Sequence, residues 1–319
     1  MSTLPPVLRR LALPVIGSPM FIISTPALVI AQCKAGIVGA MPALNARPAA
    51  QLDDWLAEIT ETLAEHDRQH PEQPSAPFAL NQIVHRSNDR LDHDMALAEK
   101  YRVPLVITSL GARADVNEAV HRWGGVVLHD VINNAFAHKA IDKGADGLIA
   151  VAAGAGGHAG TKSPFALLQE IRRWFDGPLA LSGAIATGGA VLAAQAAGAD
   201  FAYIGSAFIA TDEARASADY KQAVVEGTSD DIVYSNLFTG VHGNYLARSI
   251  VAAGLDPAKL PQGEPGAMNF GGGARKAWKD IWGSGQGIAA VEAVVPAAQL
   301  VERLRREYLA ARQRLLAIA

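Results

Sequence analysis

The sequence predicts an α/β fold, a (β/α)8 TIM barrel with a helical addition near the C-terminus. Eight short apolar runs recur along the first two thirds of the chain, and a helical stretch follows each. The runs are continuous rather than alternating, as in strands of a parallel sheet buried on both faces. Strand–helix alternation of this kind requires right-handed parallel crossovers.

The first four runs are LPVIGSP (13–19), GIVGAMP (36–42), FALNQIV (78–84) and PLVITSL (104–110). The next four are GVVLHDV (125–131), GLIAVAA (147–153), PLALSGA (178–184) and FAYIGSA (201–207). Between them lies helix punctuation. Ser24-Thr25-Pro26 reads as an N-cap with proline at the first helical position, in a helix closed by Gly36. Arg47-Pro48 opens a helix to about His70, and Ser163-Pro164 opens one ending at Asp176-Gly177. Gly188-Gly189 leads into another, stopped by Gly198. An open doubly wound sheet is the competing architecture. Its usual glycine fingerprint is missing, because the first turn reads GSPMFI.

The texture changes after Thr211. The expected division is a barrel over residues 1–211, a mainly helical addition over the active site at 212–290, and a C-terminal helix at 291–319 packing back on the barrel.

Half of the 319 residues are hydrophobic, enough for a large core, which excludes a disordered or fibrous chain. With 28 basic and 31 acidic residues the chain has no field for gripping nucleic acid or anionic lipid. A single cysteine, Cys33, excludes an internal disulfide and a cysteine-built zinc site, and points to a reducing, cytoplasmic compartment. Arg9-Arg10 followed by LALPVIGSPMFIISTPALVIA imitates a targeting or membrane segment. Pro14, Gly17, Pro19 and Pro26 interrupt it, and the stretch divides into a strand and a helix instead.

A barrel binds ligands where its strands end. The residues there include Ser18-Pro19-Met20, Asn81-Gln82, Ser109, His129-Asp130, Ser182-Gly183 and Gly205-Ser206. They are small, polar and short of charge, which suits a large, flat, partly polar ligand. SGAIATGG (182–189) and GSAF (205–208) supply clustered backbone N–H groups and two hydroxyls after strands seven and eight. Barrels commonly hold a phosphate at that place. The alternative is two tight βα turns that merely need glycine.

GAGGHAG (154–160) puts four glycines in seven residues and offers one imidazole, His158, to the barrel mouth. Histidine suits proton transfer near neutral pH; the plainer reading is a surface loop residue. His66, His70, His93, His121 and His138 read as solvated, while His85, His129 and His242 could reach the pocket. Only Lys162 comes near a Schiff-base position, Cys33 falls on a helix, and no carboxylate pair lies on the rim. No metal site is expected. A cofactor therefore performs the hard chemical step.

PVIGSPM, NQIVHRSN, GAGGHAG, ALSGAIATG and YIGSAFIAT, in that order, resemble the nitronate monooxygenase (2-nitropropane dioxygenase-like) flavoproteins over about residues 10–290. The resemblance implies a TIM barrel carrying non-covalent FMN under a helical second domain. Carried over by position, Pro19, Met20 and Phe21 pass beside the isoalloxazine, Asn81 hydrogen-bonds the ring, and Gly156 approaches the flavin. Ser182, Gly183, Ala184, Gly205 and Ser206 hold the phosphate, and His158 matches the catalytic histidine. The implied reaction is oxidation of an alkyl nitronate by O2 to a carbonyl compound and nitrite, with His158 as base or hydrogen-bond partner. Two positions depart from some relatives: a lysine after strand five is Asp130, and a glutamine before the glycine loop is Val151.

The expected partners are a small-molecule substrate and O2, with no nucleic acid and no membrane. The addition and terminal helix are candidates for a homodimer contact. One rival is an FMN-dependent NAD(P)H oxidoreductase acting on a quinone or enoyl thioester. Another is a flavin-free isomerase, lyase or binding protein for phosphorylated metabolites.

Overall fold

The computed structural model describes residues 4–263 and 280–318. Its main sheet uses β1 (Val15–Gly17), β2 (Gly39–Pro42), β3 (Phe78–Ile83), β4 (Leu105–Ser109), β5 (Val126–Val131), β6 (Gly147–Val151), β8 (Leu179–Ser182) and β9 (Phe201–Ile204). All are parallel, in the order β1-β9-β8-β6-β5-β4-β3-β2. Ile16 bridges Val38 in parallel, which joins the two ends and closes the ring. Each strand falls inside one of the eight apolar runs, and closure excludes the open doubly wound sheet.

The runs are apolar throughout because both faces are buried. Inward-pointing Ile16, Val38, Leu105, Ile107, Leu128, Ile149 and Phe201 fill the barrel. Outward-pointing Leu80, Val106, Val127, Leu148 and Leu181 meet the helices. The helices are α1 (Pro26–Lys34), α2 (Gln51–Gln69), α3 (Leu91–Lys100), α4 (Ala114–Arg122), α5 (Asn134–Asp142), α6 (Pro164–Arg172), α7 (Gly188–Ala196) and the short α8 (Ser206–Ile209). Pro26 opens α1 as expected, but Thr25 makes no side-chain cap. Ser24 Oγ instead accepts the Met20 N–H at 2.9 Å.

Beyond the barrel come α9 (Ala218–Glu226), β10 (Ile232–Ser235), β11 (Gly243–Leu246), α10 (Ala247–Ala252) and the long α11 (Ala297–Leu316). Residues 264–279 of the expected addition lie outside the described residues. Residues 212–263 and 280–290 hold α9 and α10 and also a β-hairpin. β11 pairs antiparallel with β10 on one side and with β7 (Gly157–His158), inside the glycine loop, on the other. Strands of four residues between turn signals are too short to separate from loop by periodicity alone. α11 lies across α7, where a Cβ on Gly188 would meet Leu304 O at 2.1 Å, so glycine permits the close helix contact. Among the described residues no helix is long and apolar enough to cross a membrane.

Candidate active site

A cavity of about 540 Å3 opens at the C-terminal end of the barrel strands, within the range of small-molecule sites. Pro19, Met20, Phe21, Asn81, Gly156, His158, Ser182, Gly183, Ala184, Gly205 and Ser206 all border it. Asp130, Val151, His129 and His242 border it too, whereas His85, His66, His70, His93, His121 and His138 do not.

The wall after β1 is a strained turn. Ile22 has φ of 70°, a left-handed conformation that a β-branched residue rarely adopts. Buried Asn45 holds it from the loop after β2. Its Oδ1 accepts the Ile22 N–H at 2.7 Å, and its Nδ2 donates to Met20 O at 3.0 Å and Ser24 O at 2.8 Å. This clamp places Pro19, Met20 and Phe21 along the cavity.

Asn81 points inward from β3. Its Nδ2 donates to Ile107 O at 3.0 Å and Ser109 Oγ at 2.8 Å, so what it can offer a ligand is the Oδ1 acceptor.

The loops after β8 and β9 stand side by side, since Ser182 pairs with Tyr203 in register. Gly183 has φ of 146°, and a Cβ there would meet Ala153 O at 2.7 Å. Ala184 has φ of 53°, but its N–H donates to Gly154 O at 3.2 Å, so it shapes the seat without offering its amide. Ser206 opens α8, where a first-turn N–H has no acceptor within the helix. Its Oγ accepts the Gly285 N–H at 2.8 Å and keeps its own proton to donate. Of the glycines in SGAIATGG, only Gly183 borders the cavity.

WGSGQG (282–287) reads in the sequence as another glycine-rich loop of the addition, with no ligand role assigned to it, and it also reaches the cavity. Gly283, Gly285 and Gly287 border the cavity. A Cβ on Gly285 would meet Gly154 O at 2.5 Å, and one on Gly156 would meet Gly285 N at 2.9 Å. The two glycine loops therefore pack backbone against backbone. Tyr220, stacked on Trp282 with centroids 4.9 Å apart, fixes the second loop by donating to Gly283 O.

His158 sits where β7 joins the hairpin sheet, paired with Gly243. Its Nε2 lies 3.0 Å from Thr239 Oγ1. The Thr239 hydroxyl donates to Val241 O at 3.0 Å, so Nε2–H is the donor to Thr239 and the ring lone pair is on Nδ1. Burial pushes His158 down to about 4, and His129, 2.6 Å from Thr108 Oγ1, likewise to about 4. Burial pushes Asp130 up to about 6, partly offset by a hydrogen bond from Ser109. At neutral pH both imidazoles are neutral.

A family model described as nitronate monooxygenase matches residues 7–307. The chain belongs to the nitronate monooxygenase family. A nitronate monooxygenase of Paraburkholderia phytofirmans is 28% identical, covering 92% of each chain. Among solved structures, a nitroalkane oxidase from Streptomyces ansochromogenes is 24% identical with a TM-score of 0.80, covering 94% of this chain and 97% of that one. FabK from Thermotoga maritima is 21% identical with a TM-score of 0.76, covering 98% and 97%. Those two likenesses bear out the barrel. Membership of the nitronate monooxygenase family makes the protein a flavin-dependent oxidoreductase acting on a small molecule.

The cavity fits a bulky cofactor on its own terms. At Gly156, Gly183 and Gly205 its wall is bare backbone, and a Cβ there would press on Gly285 N, Ala153 O or Ser18 Cβ and disturb the loops that shape it. Among the described residues no group of three or more metal-ligating side chains comes together.

Proposed function

We propose that the cavity holds FMN and that the protein oxidises alkyl nitronates with O2 to a carbonyl compound and nitrite. One observation carries the reading: the phosphate-seat loops, the Pro19–Phe21 wall and the single imidazole of the glycine loop all border the same cavity. The Ser182 and Ser206 hydroxyls, with the backbone of Gly183 and Gly205, would hold the phosphate. Pro19, Met20, Phe21, Asn81 and Gly156 would flank the ring system, with Ala184 shaping the seat. FMN, when bound, supplies the redox chemistry between the nitronate and O2.

His158 manages the substrate proton. For a neutral nitroalkane, the lone pair on Nδ1 takes the α-proton, while Thr239 holds the opposite edge of the ring. The imidazolium so formed faces a nitronate anion, which offsets the burial that otherwise disfavours its charge. For a nitronate that arrives already ionised, the same ion pair forms with a proton taken from solvent.

The addition covers the site in this reading, because its hairpin carries Thr239 and pairs with the strand bearing His158. The protein would act in the cytoplasm, consistent with a buried, reduced Cys33. A homodimer through α11 is supported by its exposed Leu309, Leu315 and Leu316.

Oxygen uptake with nitrite release tests the reading. Uptake driven by a nitronate and not by NADH or NADPH is the expected result. Rapid uptake or flavin bleaching with NAD(P)H, and none with nitronate, would replace it with the NAD(P)H oxidoreductase on the same scaffold.

A further inference from the structure

Side chains alternate between the inside and outside of a barrel along each strand. At the upper inner edge, Ser109 of β4 and Asp130 of β5 stand side by side, one step beyond the Thr108–His129 pair. Asp130 borders the cavity. A hydrogen-bond chain leads to it across three strands. Asn81 Nδ2 donates to Ser109 Oγ at 2.8 Å, and Ser109, accepting that hydrogen bond, directs its own hydroxyl proton to the Asp130 carboxyl.

No salt bridge among the described residues includes Asp130. Tyr203, on β9, feels its charge and is a phenol held neutral by burial. His129 turns to Thr108, and His158 and His242 border the cavity from the covering loops. Exposed Lys139 of α5 is the one lysine or arginine among the described residues that border the cavity. The floor thus carries one carboxyl, oriented by a serine and set among neutral groups.

We propose that Asp130 is a proton acceptor coupled to the redox state of the cofactor. When electrons arrive on a flavin seated over the barrel floor, a proton from water enters the Asp130 carboxylate; when they leave, it is released. The electrons come from the organic substrate being oxidised, or from dithionite in the experiment below, and the bond that this step makes and breaks on the protein is the O–H of Asp130. The cause is electrostatic. Two negative charges sharing a low-dielectric cavity repel, and neutralising the carboxyl is the cheapest relief in a floor with no cation. The proposal rests on the reading that the cavity holds a flavin, and makes Asp130 a positioning residue for charge rather than a group acting on substrate.

The test is a spectroelectrochemical titration of the holoprotein as purified, between about pH 6 and 8, with dithionite and a reference dye. One extra proton per reduction steepens the pH dependence by tenfold in the equilibrium per pH unit, about 30 mV for a two-electron couple. The native protein should show this added slope, and Asp130→Asn should lack it and reduce more easily at the alkaline end. Ser109→Ala gives an independent arm should Asp130→Asn fold poorly. It removes the bond that favours the carboxylate, so the steep region should begin at higher pH. Parallel slopes in a flavin-loaded native protein and its variants overturn this inference alone. A protein that takes up no flavin overturns both it and the functional reading.

Discussion

His158 Nε2 lies 3.0 Å from Thr239 Oγ1, joining the glycine loop of the barrel to a residue of the addition 81 positions away. The bond selects one ring tautomer, because Thr239 has already given its proton to Val241 O. Thr239→Val keeps the shape and removes the acceptor. Turnover of a neutral nitroalkane should fall roughly five- to tenfold, as expected for one hydrogen bond of about 1 kcal/mol. FMN content should not change, and Thr239→Ser should restore the rate. Steady-state kinetics beside flavin absorbance check this; an unaltered rate in Thr239→Val would remove Thr239 from the mechanism.

The Asn45 clamp makes three hydrogen bonds to a turn that contains a left-handed isoleucine. Asn45→Ala leaves that strain, about 1–3 kcal/mol, without its restraint. Chemical denaturation should show a loss of about 2–4 kcal/mol, with faster release of FMN. A denaturation midpoint equal to that of the native protein would show that the turn holds itself.

Gly156→Ala should weaken FMN binding by at least tenfold, an order-of-magnitude expectation from misplacing one wall of a preorganised site. The added Cβ meets Gly285 N at 2.9 Å and Ser206 Oγ at 3.1 Å, so one of the two glycine loops must retreat. Flavin fluorescence titration of the apoprotein reads the change, and an unchanged Kd would place the cofactor elsewhere.

Asp130 and the two buried imidazoles affect stability in opposite directions with pH. Folding raises the Asp130 pKa from 3.8 to about 6. Its contribution is therefore fully present below about pH 3.8 and lost as pH rises through about 6. The two-unit shift sets an upper bound of about 3 kcal/mol. Asp130→Asn should raise the Tm of the apoprotein at about pH 7.5 and leave it nearly unchanged at about pH 4. Folding lowers His158 and His129 from 6.5 to about 4, so their contributions are present above about pH 6.5 and lost as pH falls through about 4. His158→Gln should accordingly flatten the acid side of the stability curve. Calorimetry across this range checks both signs.

The barrel was legible because its cause is written locally. A strand buried on two faces must be apolar throughout, and each of the eight runs shows it. The cavity was legible for a related reason, since strand ends in a closed ring must converge, and Ser182, Gly183, Gly205 and Ser206 do. The contacts that depend on distant segments were not. Nothing near His158 announces Thr239, and nothing near Ile22 announces Asn45. In the sequence the glycines of GAGGHAG read only as a run that offers an imidazole to the barrel mouth. Their reason includes the approach of a second backbone, at Gly285 and Gly243, from another part of the chain. Gly188, grouped with a ligand loop, serves instead the packing of α7 against α11.

The cradle itself is tested most directly by the amount of FMN released when the purified protein is denatured. The arrangement of Ser182, Ser206 and the glycine walls predicts a yellow protein that yields about one FMN per chain, in line with one ligand-sized cavity at the strand ends. A colourless protein that releases no flavin, and takes none up when FMN is added, would contradict it.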